Sequence, residues 1–289
     1  RVTKDQIFRL PVDPSSGYLQ KVVNFGEVRN RGVEILLTTT PIKTAQFKWD
    51  LNFNFAVNKN KVLSMPASLD GGKTSIYSFS AGNHAVYMYA EEGKAMGEYY
   101  AYMPQRVTDP TSADYGKIIV DSKGMPVLSS TVQDTGKNMN NKWSGGVTTA
   151  LSAYGFTLSA ALDVRAGGYM FSRTKDLMQF TGNGTISTYN DRRPFVIPNS
   201  VTANTDGTYS ENTTPIYMTN SSYQNYLNDY GMGQGDDFYL IDRSYVKLRN
   251  ITLAYTFPRQ LVHSIYLSDI TLSIFCNNVF TWTAADNDY

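Results

Sequence analysis

Large apolar and polar residues alternate without a break between Phe47 and Asn58. Phe47, Trp49, Leu51, Phe53, Phe55 and Val57 occupy one parity; Lys48, Asp50, Asn52, Asn54, Ala56 and Asn58 occupy the other. A period of two puts the sets on opposite faces of a strand, whereas a helix would wrap the aromatics around its axis. The residues from Phe47 to Val57, at about 3.3 Å each and tilted about 40°, cover roughly 28 Å along a barrel axis. Strands of soluble domains usually stop at about 5–6 residues. The length fits the apolar band of a membrane β-barrel instead.

Phe156–Arg165 repeats the pattern, with Phe156, Leu158, Ala160, Leu162 and Val164 against Thr157, Ser159, Ala161, Asp163 and Arg165. Val33, Ile35 and Leu37 alternate with Glu34 and Thr38, and Leu36 breaks the parity. Pro41–Gln46 is then the turn of a hairpin leading into Phe47–Asn58. Ile270, Leu272 and Ile274 alternate with Thr271 and Ser273. In Ser244–Pro258 the aromatics Tyr245, Tyr255 and Phe257 flank Ile251 and Leu253, as an aromatic girdle flanks an apolar band. Lys247 and Arg249 share that parity, so part of this strand projects beyond lipid or lines a protein contact. Polar stretches at Ser68–Gly82, Thr108–Asn141 and Gly182–Asp237 are expected as long extracellular loops, since compact soluble domains rarely carry such connections. Helical signals are weak, and no fixed repeat is present.

Composition narrows the class. The chain has 289 residues, 26 Lys+Arg against 25 Asp+Glu, and a formal charge of +1, which gives no reason to propose a nucleic-acid partner. Hydrophobic residues at 42% exclude disorder. One cysteine excludes an internal disulfide framework and a Cys-rich zinc site. Apolar runs fall short of the ~18 residues of a transmembrane helix. Arg1–Leu10 carries charges and no apolar segment of the signal-peptide kind. The fold class is therefore all-β, a transmembrane antiparallel β-barrel with long extracellular loops.

Several strings then resemble the SusC/RagA family of TonB-dependent outer-membrane transporters. They begin with Asn24-Phe25-Gly26-Glu27-Val28-Arg29-Asn30-Arg31-Gly32-Val33-Glu34, followed by Trp49, Asn52, Asn54 and Asn58-Lys59-Asn60-Lys61-Val62. Gly97-Glu98-Tyr99-Tyr100-Ala101-Tyr102, Trp143-Ser144-Gly145-Gly146 and Gly167-Gly168 come next. The most specific is Ser244-Tyr245-Val246-Lys247-Leu248-Arg249-Asn250-Ile251-Thr252-Leu253, running to Tyr255-Thr256-Phe257-Pro258 and on to Asn277-Asn278-Val279-Phe280-Thr281-Trp282-Thr283. The resemblance covers roughly residues 22–289.

It implies a 22-stranded barrel, of which residues 1–289 are expected to be an incomplete C-terminal portion of about eight to ten strands. The plug and the TonB-binding segment are expected outside this chain. Final strands are expected beyond Asp286-Asn287-Asp288-Tyr289. The implied function is TonB-dependent import of a nutrient, a glycan or oligosaccharide or a peptide, across the outer membrane of a Gram-negative, Bacteroidota-like cell. The implied partners are a SusD-like surface lipoprotein, TonB, the substrate and outer-membrane lipid, with a dimer of transporter–lipoprotein pairs as a further expectation.

If the apolar parity faces lipid, Asp50, Asn52, Asn54, Asp163 and Arg165 face the lumen, where they contact plug or substrate or are solvated by lumen water. Tyr217, Tyr223, Tyr226 and Tyr230 are loop aromatics that stack on sugars, pack against the lipoprotein, or pack within their loops. No cofactor, metal or catalytic site is expected. His84, His263 and Cys276 have no local catalytic spacing. Asp236, Asp237 and Asp242 lack EF-hand spacing and are simplest as a solvated loop. Gly231-Met232-Gly233-Gln234-Gly235 is a flexible loop without the dinucleotide-binding spacing. The competing functions are a secreted all-β carbohydrate-binding module, whose apolar face would be a core, and a β-rich glycosidase, which lacks a carboxylate signature.

Overall fold

The computed structural model describes residues 1–11, 14–18, 20–24, 26–65, 72–81, 84–217, 226, 233–264, 266–284 and 287, with backbone alone at 8–11, 14, 20, 23, 80, 81 and 84. In chain order the strands are β1 (Val2–Thr3), β2 (Ile7–Pro11), β3 (Gln20–Asn24), β4 (Glu27–Lys43), β5 (Phe47–Ser64), β6 (Lys73–Ala81), β7 (His84–Glu91), β8 (Glu98–Ala101) and β9 (Ile118–Val120). They continue as β10 (Gln133–Asn138), β11 (Trp143–Ala153), β12 (Phe156–Ala166), β13 (Tyr169–Phe171), β14 (Ser200–Ala203), β15 (Tyr209–Glu211), β16 (Leu240–Asp242), β17 (Tyr245–Thr256) and β18 (Thr271–Thr283). Among the described residues the α-helices α1 (Arg173–Thr181) and α2 (Arg259–His263) interrupt them.

One antiparallel sheet of seven strands, in the order β1-β4-β5-β11-β12-β17-β18, carries the architecture. Its register lines up the sequence pattern across the whole sheet. Leu37 pairs with Phe53, Phe53 with Val147, Val147 with Leu162, Leu162 with Leu248 and Leu248 with Phe280. Lower down, Ile42, Trp49, Leu151, Leu158, Leu253 and Ile274 form another row. Directly paired residues share a face, so these rows make one continuous apolar face six strands wide. Among the described residues nothing covers it: Ile274 is 74% exposed and Leu272 64%.

Aromatic rings bound that face at both ends. Phe156 and Tyr255 lie 4.5 Å apart at the end bearing the short turns, with Phe257 beyond at 5.0 Å. At the opposite end Phe55 meets Trp143 at 5.9 Å and Phe280 meets Trp282 at 4.3 Å. Two girdles around an aliphatic band are the pattern of a lipid-facing barrel wall. Trp49 Nε1, which points to this face, donates to Thr149 Oγ1 at 2.9 Å. The polar atom of that indole is thus satisfied inside the sheet.

Four expectations change. The Pro41–Gln46 turn is shorter: β4 runs through Pro41 to Lys43 past a bulge after Thr39, and only Thr44–Gln46 turns. Thr44 Oγ1 accepts from the backbone N–H of Phe47 at 3.0 Å and closes it. Tyr245 leaves the proposed girdle. The ladder shifts register between Leu248 and Asn250, so Arg249 is the extra residue, and Tyr245 and Lys247 pair with Arg165 and Asp163 on the polar face. A bulge inverts parity along a strand, which explains why Lys247 and Arg249 seemed to share a side with Ile251. Among the described residues the sheet holds six long strands besides β1, not eight to ten, because the remaining strands belong elsewhere.

The fourth change concerns the long loops, which are built structure. Three short connections (44–46, 154–155 and the α2 segment) lie at one end of the long sheet, and the described residues within 65–142 and 167–244 rise from the other. There they form a cap. Its four-stranded antiparallel sheet, β10-β8-β7-β6, buries Val86, Met88, Tyr99 and Ala101 against Leu240, Phe79 and Phe171. A second sheet, β15-β14-β9, buries Ile118, Val120, Ile197 and Ile216 with Met125 and Tyr226. The apolar residues are sparse among Gly, Asn, Ser and Thr, so composition hides them. α1 has a local signature: Ser172 caps its start by accepting from the Lys175 N–H, and Gly182 ends it at φ 73°. The parts of the Ser68–Gly82 and Gly182–Asp237 stretches at 68–71, 82, 218–225 and 227–232 lie outside the described residues, as does Phe25 of the first motif.

The cap is not hung on the barrel wall by its ends alone. Strands β4 and β5 run past the apolar band, and their upper residues Val28 and Val62 pack with Ala90 of β7 in a third buried cluster. Asn60 Nδ2 donates to Asn140 Oδ1 at 2.9 Å, and Asn60 Oδ1 accepts from the Met96 N–H at 2.7 Å.

Placing a lysine at Phe53, in the middle row of the apolar face, is expected to destabilise the membrane-inserted protein by about 2–4 kcal/mol. The same lysine at Asn54, on the opposite face, is expected to have a far milder effect. Denaturant unfolding of the full-length protein in lipid vesicles measures both, and equal losses would contradict the assignment of faces.

Candidate functional site

The opposite face of the long sheet is polar and unevenly built. Asp50, Asn52 and Asn54 of β5 line one side of it. Asp163 and Arg165 of β12 stand across from them, beyond the small residues Ser144, Gly146, Thr148, Ala150 and Ser152 of β11. All five sequence-selected residues therefore share one face, opposite the aromatic parity. Two separate clusters divide them.

On β5, Asp50 pairs with Lys48 at 2.7 Å and accepts from Thr40 Oγ1 at 2.7 Å. Asn52 and Asn54 are exposed beside it. Gly146 keeps the floor low next to Asn54: a Cβ there would sit 3.0 Å from Asn54 Nδ2.

On β12 and β17 the cluster is cationic. Asp163 Oδ2 accepts from Arg249 Nε at 3.1 Å, from Arg249 Nη2, and from Tyr245 Oη at 3.0 Å. Lys247 Nζ lies 4.5 Å from the Tyr245 ring centroid, and the Arg165 guanidinium 5.5 Å from the same ring. Sequence reasoning selected Asp163 and Arg165 but missed Tyr245, Lys247 and Arg249. The signal was present in the parity break at Lys247 and Arg249, which marks a bulge.

The described loop aromatics divide between the expected alternatives. Tyr217 is 44% exposed, but Tyr226 is buried at 4%, edge-on to Phe195 at 5.7 Å. Burial pushes its hydroxyl pKa up to about 12. Tyr226 is a cap core residue and offers no stacking surface. Tyr223 and Tyr230 lie outside the described residues.

The acidic residues near the end of the second cap segment also correct the solvated-loop reading. Asp236 is 3% exposed and accepts from the Ala85 N–H at 3.1 Å, joining β7 to this segment. Asp237 pairs with Lys137 at 2.8 Å, and Asp242 Oδ1 accepts from the Ser244 N–H at 2.7 Å. Their carboxylates tie the cap together. Gly235 sits at φ 70°, where a Cβ would lie 2.4 Å from the Tyr102 carbonyl oxygen, so the close approach of these segments requires glycine. Gly231 and Met232 lie outside the described residues.

Cys276 is exposed on the apolar face, paired with Ile251, while His263 ends α2 in the turn region. The side chain of His84 lies outside the described residues. Among the described residues no group of three His, Cys, Asp or Glu is placed to hold a metal ion.

Truncating Val86, which has no exposed surface in the cap core, is expected to loosen the cap while leaving the barrel wall inserted. Val86→Ala should cost about 1–3 kcal/mol locally. Limited proteolysis of membranes checks it: faster cleavage within 101–142 is expected, with unchanged membrane extraction.

No family model matches the chain. It is 24% identical over 297 aligned positions to TonB-dependent receptor P3 of Formosa agariphila, covering 97% of this chain and 27% of that protein. It is 27% identical over 252 positions to TonB-dependent receptor SusC of Bacteroides thetaiotaomicron, covering 82% of this chain and 21% of SusC. The chain thus spans about a quarter of the length of the curated relatives it matches. Among solved structures, the RagAB peptide importer in its closed-closed state superposes with a TM-score of 0.65 at 18% identity, over 99% of this chain and 29% of that one. A second RagAB structure gives 0.63 at 19% identity. Along nearly its whole length, then, this chain is similar to TonB-dependent transporters of the SusC/RagA type, and its fold is that of a segment of their barrel wall.

Proposed function

We propose that this chain is the C-terminal barrel portion of an outer-membrane importer that takes up a nutrient with energy delivered through TonB. The observation that carries this reading is the uncovered apolar face between two aromatic girdles, backed by a polar face. A secreted carbohydrate-binding module would fold such a face inward as its core. A wall of this kind needs neighbouring strands, because its edge groups go unsatisfied in hydrocarbon. The remaining strands of the barrel, a plug and a TonB-binding segment are assigned to other parts of the same protein. The cap, at the end opposite the short turns, is assigned to the outside of the cell, as the larger connections of such barrels are.

The cargo is an oligosaccharide or a peptide. Similarity to SusC and the fold shared with a peptide importer support both classes. The expected partner is a SusD-like surface lipoprotein, meeting the cap from outside, and the pairs are expected to associate as dimers. In this reading Asp50, Asn52, Asn54, Asp163 and Arg165 face the lumen and line the translocation path. His84, His263 and Cys276 have no catalytic task.

Uptake of the cargo by cells carrying the full-length protein is expected to stop when TonB is deleted and to persist when His84, His263 and Cys276 are replaced together. TonB-independent uptake would overturn active import. Loss of uptake by the triple variant, with normal assembly in the outer membrane, would overturn the non-catalytic assignment.

A further inference from the structure

On the polar face, β12 and β17 carry three cations and one carboxylate within a single cluster. Asp163 is committed, since Arg249 and Tyr245 both donate to its Oδ2. Among the described residues neither Arg165 nor Lys247 has a carboxylate within ion-pair distance, and Arg165 Nε is enclosed without a hydrogen-bond acceptor. Both cations are set against the Tyr245 ring, at 5.5 and 4.5 Å from its centroid. That ring is held in turn by its hydroxyl on Asp163.

This arrangement has a cause in the backbone. Without the bulge at Arg249, the parity of Ile251, Leu253 and Tyr255 would carry Lys247 and Tyr245 to the apolar face. The inserted residue turns both to the polar side, opposite Asp163 and Arg165 of β12. On the adjoining strand the residues facing this cluster, Ser144, Gly146 and Thr148, are small. Cations anchored on an aromatic ring lose little freedom when an anion arrives, and Arg165 presents a planar fork suited to carboxylate or sulfate oxygens.

We propose that Arg165 and Lys247, both braced by Tyr245, form a binding site for an anionic group, a carboxylate or sulfate ester, carried by the solute that passes this face. Arg249 stays on Asp163 and holds the site's shape. The assignment rests on the import reading above, and it narrows the cargo to acidic oligomers. An acidic sugar and an acidic peptide side chain present the same oxygens, so the probes separate them.

The test uses the full-length transporter in detergent, titrated with galacturonic-acid oligosaccharide, neutral galactose oligosaccharide of equal length, tetra-aspartate peptide and tetra-asparagine peptide. One acidic probe is expected to bind roughly tenfold or more tightly than its neutral counterpart, as a charge-assisted hydrogen bond implies. Its identity tells sugar from peptide. Arg165→Gln with Lys247→Gln should abolish that preference, while Lys247→Arg should keep it. If the double variant fails to assemble, Lys247→Gln alone carries the comparison. No acidic preference in the parent protein, or a preference the variants do not reduce, overturns the site. Uptake that continues under either result leaves import standing. TonB-independent uptake, by contrast, removes import while the binding contrast remains readable.

Discussion

A strand has two faces and two edges, and hydrocarbon tolerates unsatisfied polar groups on neither an exposed face nor an open edge. The long sheet meets the first condition by register. Because β4, β5, β11, β12, β17 and β18 pair in step, each apolar parity lands beside another apolar parity, from Leu37 across to Phe280. A slip of one residue in any ladder would put Asp50 or Asp163 into lipid. The one indole nitrogen in the lower rows that could break the rule, Trp49 Nε1, is bonded to Thr149 within the sheet. Register, more than any single contact, makes the wall a membrane wall.

The same constraint explains why the strands change character along their length. Above the band, water is available, and the polar parity of β5 becomes a set of handles for the cap. Asn60 is the clearest case, bonded both to Asn140 and to the Met96 backbone. That same parity turns apolar at Val62, which packs into protein against Val28 and Ala90. The polar face of the strand thus ends above the band in a protein core. The cap is seated on a rigid ladder, so its sheets β10-β8-β7-β6 and β15-β14-β9 need no separate support at that junction.

How much of this was legible follows from what periodicity can carry. Phe47–Val57 and Phe156–Arg165 declared their faces because eleven and ten residues alternate without interruption. The five polar residues chosen from those strands fall on one face for the same reason. Periodicity fails where the chain inserts a residue: the bulge at Arg249 moved Tyr245 to the other side, and the one after Thr39 lengthened β4 into the expected turn. It also fails where apolar residues are sparse. Ile118, Ile197 and Ile216 are scattered through polar sequence yet meet in one buried cluster. Which of the alternatives holds for Tyr226, packing within its loop, was not legible, because a lone tyrosine in a polar stretch has no periodic context to reveal its burial.

The bulge has a consequence for function that side-chain chemistry alone would miss. In a regular β17, Lys247 would lie on the side of Ile251 and Leu253, where lipid demands a neutral residue, and it would be selected against or forced to snorkel. Inserting Arg249 lets one strand satisfy lipid in its lower half and concentrate charge on the polar face in its upper half. The extra residue is itself an arginine, and its guanidinium neutralises the nearby carboxylate of Asp163. Among the described residues, that leaves Arg165 and Lys247 without an ion pair of their own. A cationic patch built this way costs the apolar face nothing. It also sits beside the start of β17, close to where the strand leaves the cap.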